Sequence, residues 1–175
     1  MITLSRPFVA FFALVLLISC SALKPVSSSV GHSTRSPRHD AVREDPTSFI
    51  RADIVQHAQE LIGTRYKWGG NRPNEGFDCS GLTVYLYQNA GLGLNRTSRE
   101  QALQGRPIKL REARPGDLVF FKRPGGPVFH VAIVTLAAAD ELWVVHSTSS
   151  RGVMREDVLD STYWAPKLYQ VRRVI

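Results

Sequence analysis

Apolar residues recur at helical spacing in the middle of the chain. This spacing predicts a first helix over residues 49–62, which Gly63 then ends. Its apolar positions are Ile54, Val55, Ala58, Leu61 and Ile62. A second helix is predicted to begin at Cys79 and to stop before Gly91. Its apolar positions are Leu82, Tyr85 and Leu86.

After this helical part, the pattern changes to short apolar runs separated by Gly, Pro and Asp. Five runs are predicted to be strands: residues 118–121, 130–134, 142–146, 153–158 and 168–175. Before them, Ser98-x-x-Gln101 has the pattern of a capping box and predicts a short third helix that ends near Gly105. Brief loops between successive strands predict an antiparallel meander, and helices followed by strands predict an α+β fold.

The N-terminal apolar run, residues 8–18, has a different character because it follows an arginine and precedes a cysteine. It is too short to span a bilayer comfortably but long enough for a signal-peptide core, so residues 1–19 are predicted to be a signal peptide. The run ends in Leu17-Ile18-Ser19-Cys20, which resembles the lipobox of bacterial lipoproteins. The resemblance implies lipid modification of Cys20, and the alternative is an ordinary signal peptide.

Residues 20–47 carry few large apolar side chains, so we predict a lipidated cysteine followed by a flexible tether. The folded domain is then predicted over residues 48–175. In lipoproteins of this kind the residue after the cysteine influences sorting between membranes, and here that residue is Ser21 rather than aspartate. We therefore expect a lipid anchor in the outer membrane, with the protein facing the periplasm.

Composition and charge narrow the choice of partners. The chain has 175 residues, 43% of them hydrophobic and 21% charged, which is enough for one core without a disulfide. The net charge of +7 suits an anionic partner such as nucleic acid, a lipid surface or an acidic polymer. The export signal argues against nucleic acid, and the basic residues are scattered among acidic ones.

The stretch from Phe77 to Leu82 places a cysteine at the start of the second predicted helix. Asp78 is predicted to cap that helix, and Ser80 to act as a second cap or as a substrate contact. If Cys20 carries a lipid, Cys79 is the only thiol left, because the chain has two cysteines. The positive end of a helix favours thiolate, so we predict a lowered pKa and a nucleophilic role for Cys79.

A thiol nucleophile needs a base, and the base needs a polar group that orients it. Of the five histidines, His130 opens one predicted strand and His146 closes the next. If these strands pair as an antiparallel hairpin, the two histidines become neighbours at one edge of the sheet. The sequence thus predicts a base and its orienting residue, although a single histidine at a strand end is more often only half-exposed.

Several motifs together resemble the NlpC-type cysteine peptidase family, over residues 54–174. They are Tyr66-x-Trp68-Gly69-Gly70, Phe77-Asp78-Cys79-Ser80-Gly81-Leu82, Arg114-Pro115-Gly116-Asp117-Leu118, His130-Val131-Ala132-Ile133 and His146. The resemblance implies a papain-like α+β fold with N-terminal helices packed on a mostly antiparallel sheet. It also implies cleavage of peptides in bacterial peptidoglycan, either at a cross-link or within a stem peptide.

Residue roles follow from the same resemblance, position by position. Cys79 matches the family nucleophile, His130 its base and His146 the polar residue that orients the base. Tyr66 matches a tyrosine near the nucleophile that helps to bind the oxyanion together with the backbone N–H of Cys79. The alternative for Tyr66 is a packing aromatic. No cofactor is expected.

Two other functions are compatible with the same residues. Cys79, His130 and His146 form a legitimate set of zinc ligands for a hydrolase, although no closely spaced ligand pair supports it. Alternatively, the chain is a lipoprotein that binds peptidoglycan without cleaving it, with Cys79 as a buried thiol.

Overall fold

A computed structural model describes residues 45–175, so the predicted signal peptide, Cys20 and most of the predicted tether lie outside the described residues. The helices are α1 (Ser48–Glu60), α2 (Cys79–Asn89) and α3 (Ser98–Gln101). The strands are β1 (Asn71–Arg72), β2 (Gly76–Phe77), β3 (Arg106–Ile108), β4 (Leu118–Lys122), β5 (Val128–Ala137), β6 (Leu142–Thr148), β7 (Gly152–Asp157) and β8 (Leu168–Arg173). None of the helices in this range is long and apolar enough to cross a membrane.

The main sheet has six strands in the order β3-β8-β4-β5-β6-β7, and every neighbouring pair is antiparallel. Strands β4 to β7 form the predicted meander, while β8 returns to pair with the free side of β4. The α+β prediction is therefore confirmed. The edge strand β3 was not predicted, because its three residues include a proline and two of them are exposed.

The sheet is apolar on both faces, as the alternation along β4 shows. Leu118 and Phe120 pack with apolar residues of α1 and α2. Val119 and Phe121, which point to the opposite face, pack in a second cluster that includes Trp164 from the segment before β8. The helices therefore cover one face, and the chain between β7 and β8 helps to cover the other.

The short third helix exists, but its cap differs from the predicted one. Thr97, not Ser98, is the N-cap: its hydroxyl accepts from the backbone N–H of Glu100, whose carboxylate in turn accepts from the Thr97 backbone N–H. Gln101 is fully buried, and its amide donates to the backbone carbonyls of Ser80 and Asn95. The predicted capping box was thus displaced by one residue, because Gln101 packs inside the domain.

Asp117 joins three distant parts of the domain beneath the turn before β4. One oxygen, Oδ2, accepts from the backbone N–H of Arg114 at 2.9 Å and so closes the turn. The buried carboxylate also pairs with Arg51 of α1 at 3.0 Å and with Arg173 of β8 at 2.8 Å. This network holds the first helix and the last strand against the start of β4.

Candidate active site

The start of α2 packs very closely against the loop that contains Gly69 and Gly70. Gly81 faces the backbone of Gly70, and a Cβ at position 81 would collide with the Gly70 carbonyl oxygen. The backbone N–H of Gly81 donates to Oδ1 of Asp78 at 2.6 Å, so the predicted helix cap is confirmed. The loop is also held from outside the helix, because the Gly69 N–H donates to Oδ2 of Asp78 at 2.9 Å.

Arg96 forms a bidentate ion pair with the helix-capping residue Asp78, a contact that the sequence did not predict. Its two terminal nitrogens donate to the two carboxylate oxygens of Asp78, at 3.1 and 2.7 Å. Ser80 belongs to the same cluster, since its hydroxyl donates to Asp78 at 3.2 Å and accepts from Arg96 at 3.0 Å. Ser80 is therefore not a second helix cap. The Asp78 carboxylate is therefore paired with Arg96 next to the thiol residue.

Cys79 is the first residue of α2 and is only partly exposed to the cleft. Burial raises the pKa of the Cys79 thiol to about 11, and the negative charge of Asp78 contributes in the same direction. Hydrogen bonding from the backbone of Val131 and Ser80 opposes the shift but does not reverse it. The predicted lowering of this pKa was wrong, because desolvation outweighs the helix terminus. In this structure the sulfur is a thiol at neutral pH.

His130 and His146 lie in contact as predicted, although they lie within β5 and β6 rather than at the first and last positions of these strands. The Nε2 atom of His130 is 3.1 Å from Nδ1 of His146, and both side chains are buried. Cys79 packs against the apolar cluster that includes Val131, the next residue along β5. Cys79 and His130 line the same cleft, and the Nδ1 atom of His130 is not used by His146.

Aromatic side chains enclose the histidine pair. The ring of Trp164 stacks on His130 with centroids 4.4 Å apart, and Phe121 contacts His130 from the neighbouring strand. Burial lowers the pKa of His130 well below its ordinary value, and the nearby charge of protonated His146 lowers it further. Burial also lowers the pKa of His146, to about 4. Both rings are therefore neutral near pH 7, which a general base requires.

A cleft of about 1060 Å³ opens in front of these groups. Tyr66, Cys79 and His130 all line it, so the structure brings the predicted site residues together. Burial raises the pKa of Tyr66, and the charges of a Cys79 thiolate and of Asp78 raise it further, so its hydroxyl stays protonated and able to donate. Other lining side chains are Trp68, Arg96, Arg99, Arg123, Ser147, Arg151, Glu156, Tyr163 and Trp164.

The zinc alternative finds no matching geometry in the described part of the chain. Within residues 45–175, no three His, Cys, Asp or Glu side chains converge as metal ligands. His130 and His146 instead direct ring nitrogens at each other. The facing nitrogens suit a hydrogen bond between the rings rather than a shared ion.

An antiparallel sheet flanked by helices, with a thiol at a helix start beside a histidine pair, is the combination found in papain-like cysteine peptidases. The family model described as the NlpC/P60 family matches residues 63–173, and the chain belongs to this family.

The chain matches one relative over most of that relative's length and another over a smaller part of it. The chain is 35% identical over 142 residues to the probable endopeptidase NlpC of Escherichia coli (strain K12), covering 80% of this chain and 88% of that protein. It is 36% identical over 126 residues to the gamma-DL-glutamyl hydrolase of Bacillus subtilis (strain 168), covering 69% of this chain and 29% of that protein. The crystal structure of the NlpC/p60 domain of the peptidoglycan hydrolase SagA is similar with a TM-score of 0.57 and 34% identity, covering 70% of this chain and 97% of that chain. This chain spans well under half the length of several curated relatives that it matches.

Proposed function

We propose that this protein is a cysteine peptidase that hydrolyses peptide bonds in bacterial peptidoglycan. The observation that carries the proposal is that the Cys79 thiol, at the start of α2, lines one cleft with His130, whose ring is paired with that of His146. The names of its relatives, endopeptidase NlpC and the peptidoglycan hydrolase SagA, support the same substrate. Incubation of purified sacculi with the protein, followed by mass spectrometry of the released peptides, tests it directly.

The geometry supports a general-base mechanism. His130 Nδ1 takes the proton of the Cys79 thiol as the sulfur attacks the peptide carbonyl carbon. The resulting imidazolium gives this proton to the leaving amine as the carbon–nitrogen bond breaks, and a thioester remains on Cys79. Neutral His130 then takes a proton from water, which attacks the thioester and releases the carboxylic acid and the thiol. The high thiol pKa and the low imidazole pKa place the proton on sulfur before the reaction begins.

Tyr66 is proposed as an oxyanion donor together with the backbone N–H of Cys79. Loss of one such donor costs about 2.7–4 kcal/mol of transition-state stabilisation, or roughly 10²- to 10³-fold in kcat. We therefore expect Tyr66→Phe to lower kcat by about that factor with little change in KM, measured on a soluble stem-peptide substrate. A Tyr66→Phe protein with wild-type kcat would make Tyr66 a packing residue. Tyr169→Phe is the matched control, because Tyr169 is exposed and lies outside the cleft.

The charge of the cleft favours an acidic peptide. Arg99 and Arg123 line it in addition to Arg96 and Arg151, whose charges are paired with carboxylates. A γ-linked glutamyl residue keeps its α-carboxylate free, so it offers a charge that these arginines can bind. One relative is named for a gamma-DL-glutamyl bond. We therefore propose the stem-peptide bond after D-glutamate, rather than the cross-link, as the bond that is cut.

A lipid anchor on Cys20 is proposed to hold the enzyme at the outer membrane, facing the periplasm. The support is the sequence Leu17-Ile18-Ser19-Cys20, which resembles a lipobox, and Ser21 after it. Cells labelled with radioactive palmitate are expected to incorporate label into the wild-type protein and none into Cys20→Ala. Fractionation should then move the variant from the membrane to the soluble fraction. Equal labelling of both proteins would contradict the anchor.

A further inference from the structure

The Nε2 atom of His146 is buried, and its hydrogen-bonding environment is unusual. The Nδ1 atom of His146 faces His130, whereas Nε2 has no well-aligned hydrogen-bond partner within residues 45–175. Oxygen Oε2 of Glu156 lies 3.3 Å from this Nε2, at ion-pair distance. Buried ring nitrogens normally have a partner, and contacts in unliganded active sites are often longer than in the substrate complex. Glu156 is thus the group positioned to pair with Nε2.

The register of the sheet explains how Glu156 reaches this place. His146 of β6 pairs with Met154 of β7, so Glu156, two residues further on, points to the same face. The Glu156 side chain is only 19% exposed, and it lines the cleft. Arg151, from the turn between β6 and β7, lies 3.1 Å from the same Oε2 and holds the carboxylate from the solvent side.

A carboxylate at this position determines where both imidazoles carry their protons. A carboxylate only accepts, so His146 must place its proton on Nε2 and leave Nδ1 as an acceptor. His130 then donates from Nε2 to Nδ1 of His146, and its own Nδ1 is left with a free lone pair. That lone pair is what a base for the Cys79 thiol requires. With the opposite tautomers, His130 would present an N–H to the thiol and could not take its proton.

We propose that Glu156 is a positioning residue that acts through His146 to hold His130 in the tautomer able to deprotonate Cys79. The catalytic consequence rests on the proposed peptidase function, whereas the tautomer assignment does not. Glu156 itself touches neither the thiol nor the reacting bond. Glu156 is thus a fourth residue that follows Cys79, His130 and His146 in the proposed site.

Glu156→Gln keeps the shape of the side chain but removes its charge. We expect kcat to fall by about 10- to 100-fold, the effect of removing outer partners of functional histidines, with KM unchanged. The charged or titratable groups facing His146 are His130 of β5, Glu156 of β7 and Arg151 of the turn. Without the carboxylate, the imidazolium loses stabilisation, so the acid limb of the kcat/KM profile should move to lower pH.

Arg151→Gln is the opposing variant. Removing this cation favours the imidazolium, so the acid limb should move to higher pH. Glu141→Gln is the matched control, because Glu141 is an exposed carboxylate on the turn between β5 and β6. It should match wild type in both kcat and pH profile. A wild-type kcat in Glu156→Gln, or a lowered kcat with an unmoved acid limb, would overturn the proposal.

A second measurement is independent of activity. In protein labelled with ¹⁵N-histidine, imidazole NMR shifts are expected to show His130 and His146 both protonated at Nε2, and Glu156→Gln should lose this preference at His146. Finding His146 protonated at Nδ1 in the wild-type protein would overturn the inference. If the wild-type protein cleaves no peptide but shows the expected tautomers, the proposed function fails and the positioning by Glu156 stands.

Discussion

Cys79→Ala protein is expected to release no peptide from purified sacculi above the uncatalysed background. The thiol supplies the atom that forms the acyl-enzyme, and the hydroxyl of Ser80, the next residue of α2, is engaged by Asp78 and Arg96. Removing the nucleophile of a serine peptidase that works by the same logic costs on the order of 10⁶ in kcat. We therefore expect a loss of at least about 10⁴-fold, measured as released peptide by mass spectrometry.

The other cysteine of the chain supplies the control for this loss. Cys20→Ala carries the same substitution outside residues 45–175, and in solution it is expected to cleave at the wild-type rate. Cys79→Ala should keep its fold, since removal of one partly exposed thiol costs about 1 kcal/mol or less. Circular dichroism and Tm verify this. Wild-type hydrolysis by Cys79→Ala would contradict the proposed mechanism, and it would equally exclude the zinc alternative in which Cys79 is a ligand.

Those parts of the site that depend on local sequence could be predicted. Asp78 and Cys79 are consecutive, so a capping residue and a thiol at the helix start follow from the pattern of the helix alone. The contact of His130 with His146 follows from two neighbouring strands and one short turn. The order of helices followed by strands could also be predicted, because the spacing of apolar residues changes along the chain from that of a helix to that of strands.

What depends on burial or on distant pairing could not be predicted. The thiol pKa is set by how tightly the cleft encloses Cys79, and helix position alone gave the wrong direction. Arg96 reaches Asp78 across 18 residues, and Glu156 reaches His146 only through the exact register of β6 and β7. Neither Arg96 nor Glu156 belongs to a recognisable sequence motif, so only the folded structure distinguishes these two residues from ordinary solvent-exposed charges.

The largest loss of stability is expected from Asp117→Ala. Asp117 is fully buried, and its carboxylate pairs with Arg51, itself 7% exposed, and with Arg173. Alanine leaves both guanidinium groups without their counter-ion, and breaking a buried pair in this way costs about 3–5 kcal/mol. For a domain of this size, we expect a fall in Tm of roughly 10–20 °C. Asp53→Ala is the matched control: Asp53 is 45% exposed and, among residues 45–175, pairs with His57 alone, so a change below about 1 kcal/mol is expected.

A double-mutant cycle shows which contact of Asp117 matters. Arg51 also donates to the carbonyls of Pro115 and Ile175, so Arg51→Met is expected to destabilise the domain by itself. If the Arg51–Asp117 pair links α1 to the turn before β4, Arg51→Met and Asp117→Ala together should cost less than the sum of the single changes, by about 0.5–3 kcal/mol. Urea unfolding of the four proteins measures this difference. Additive costs would mean that Asp117 stabilises the domain through Arg173 and the Arg114 turn alone, and that α1 is held by its apolar face and the backbone contacts of Arg51.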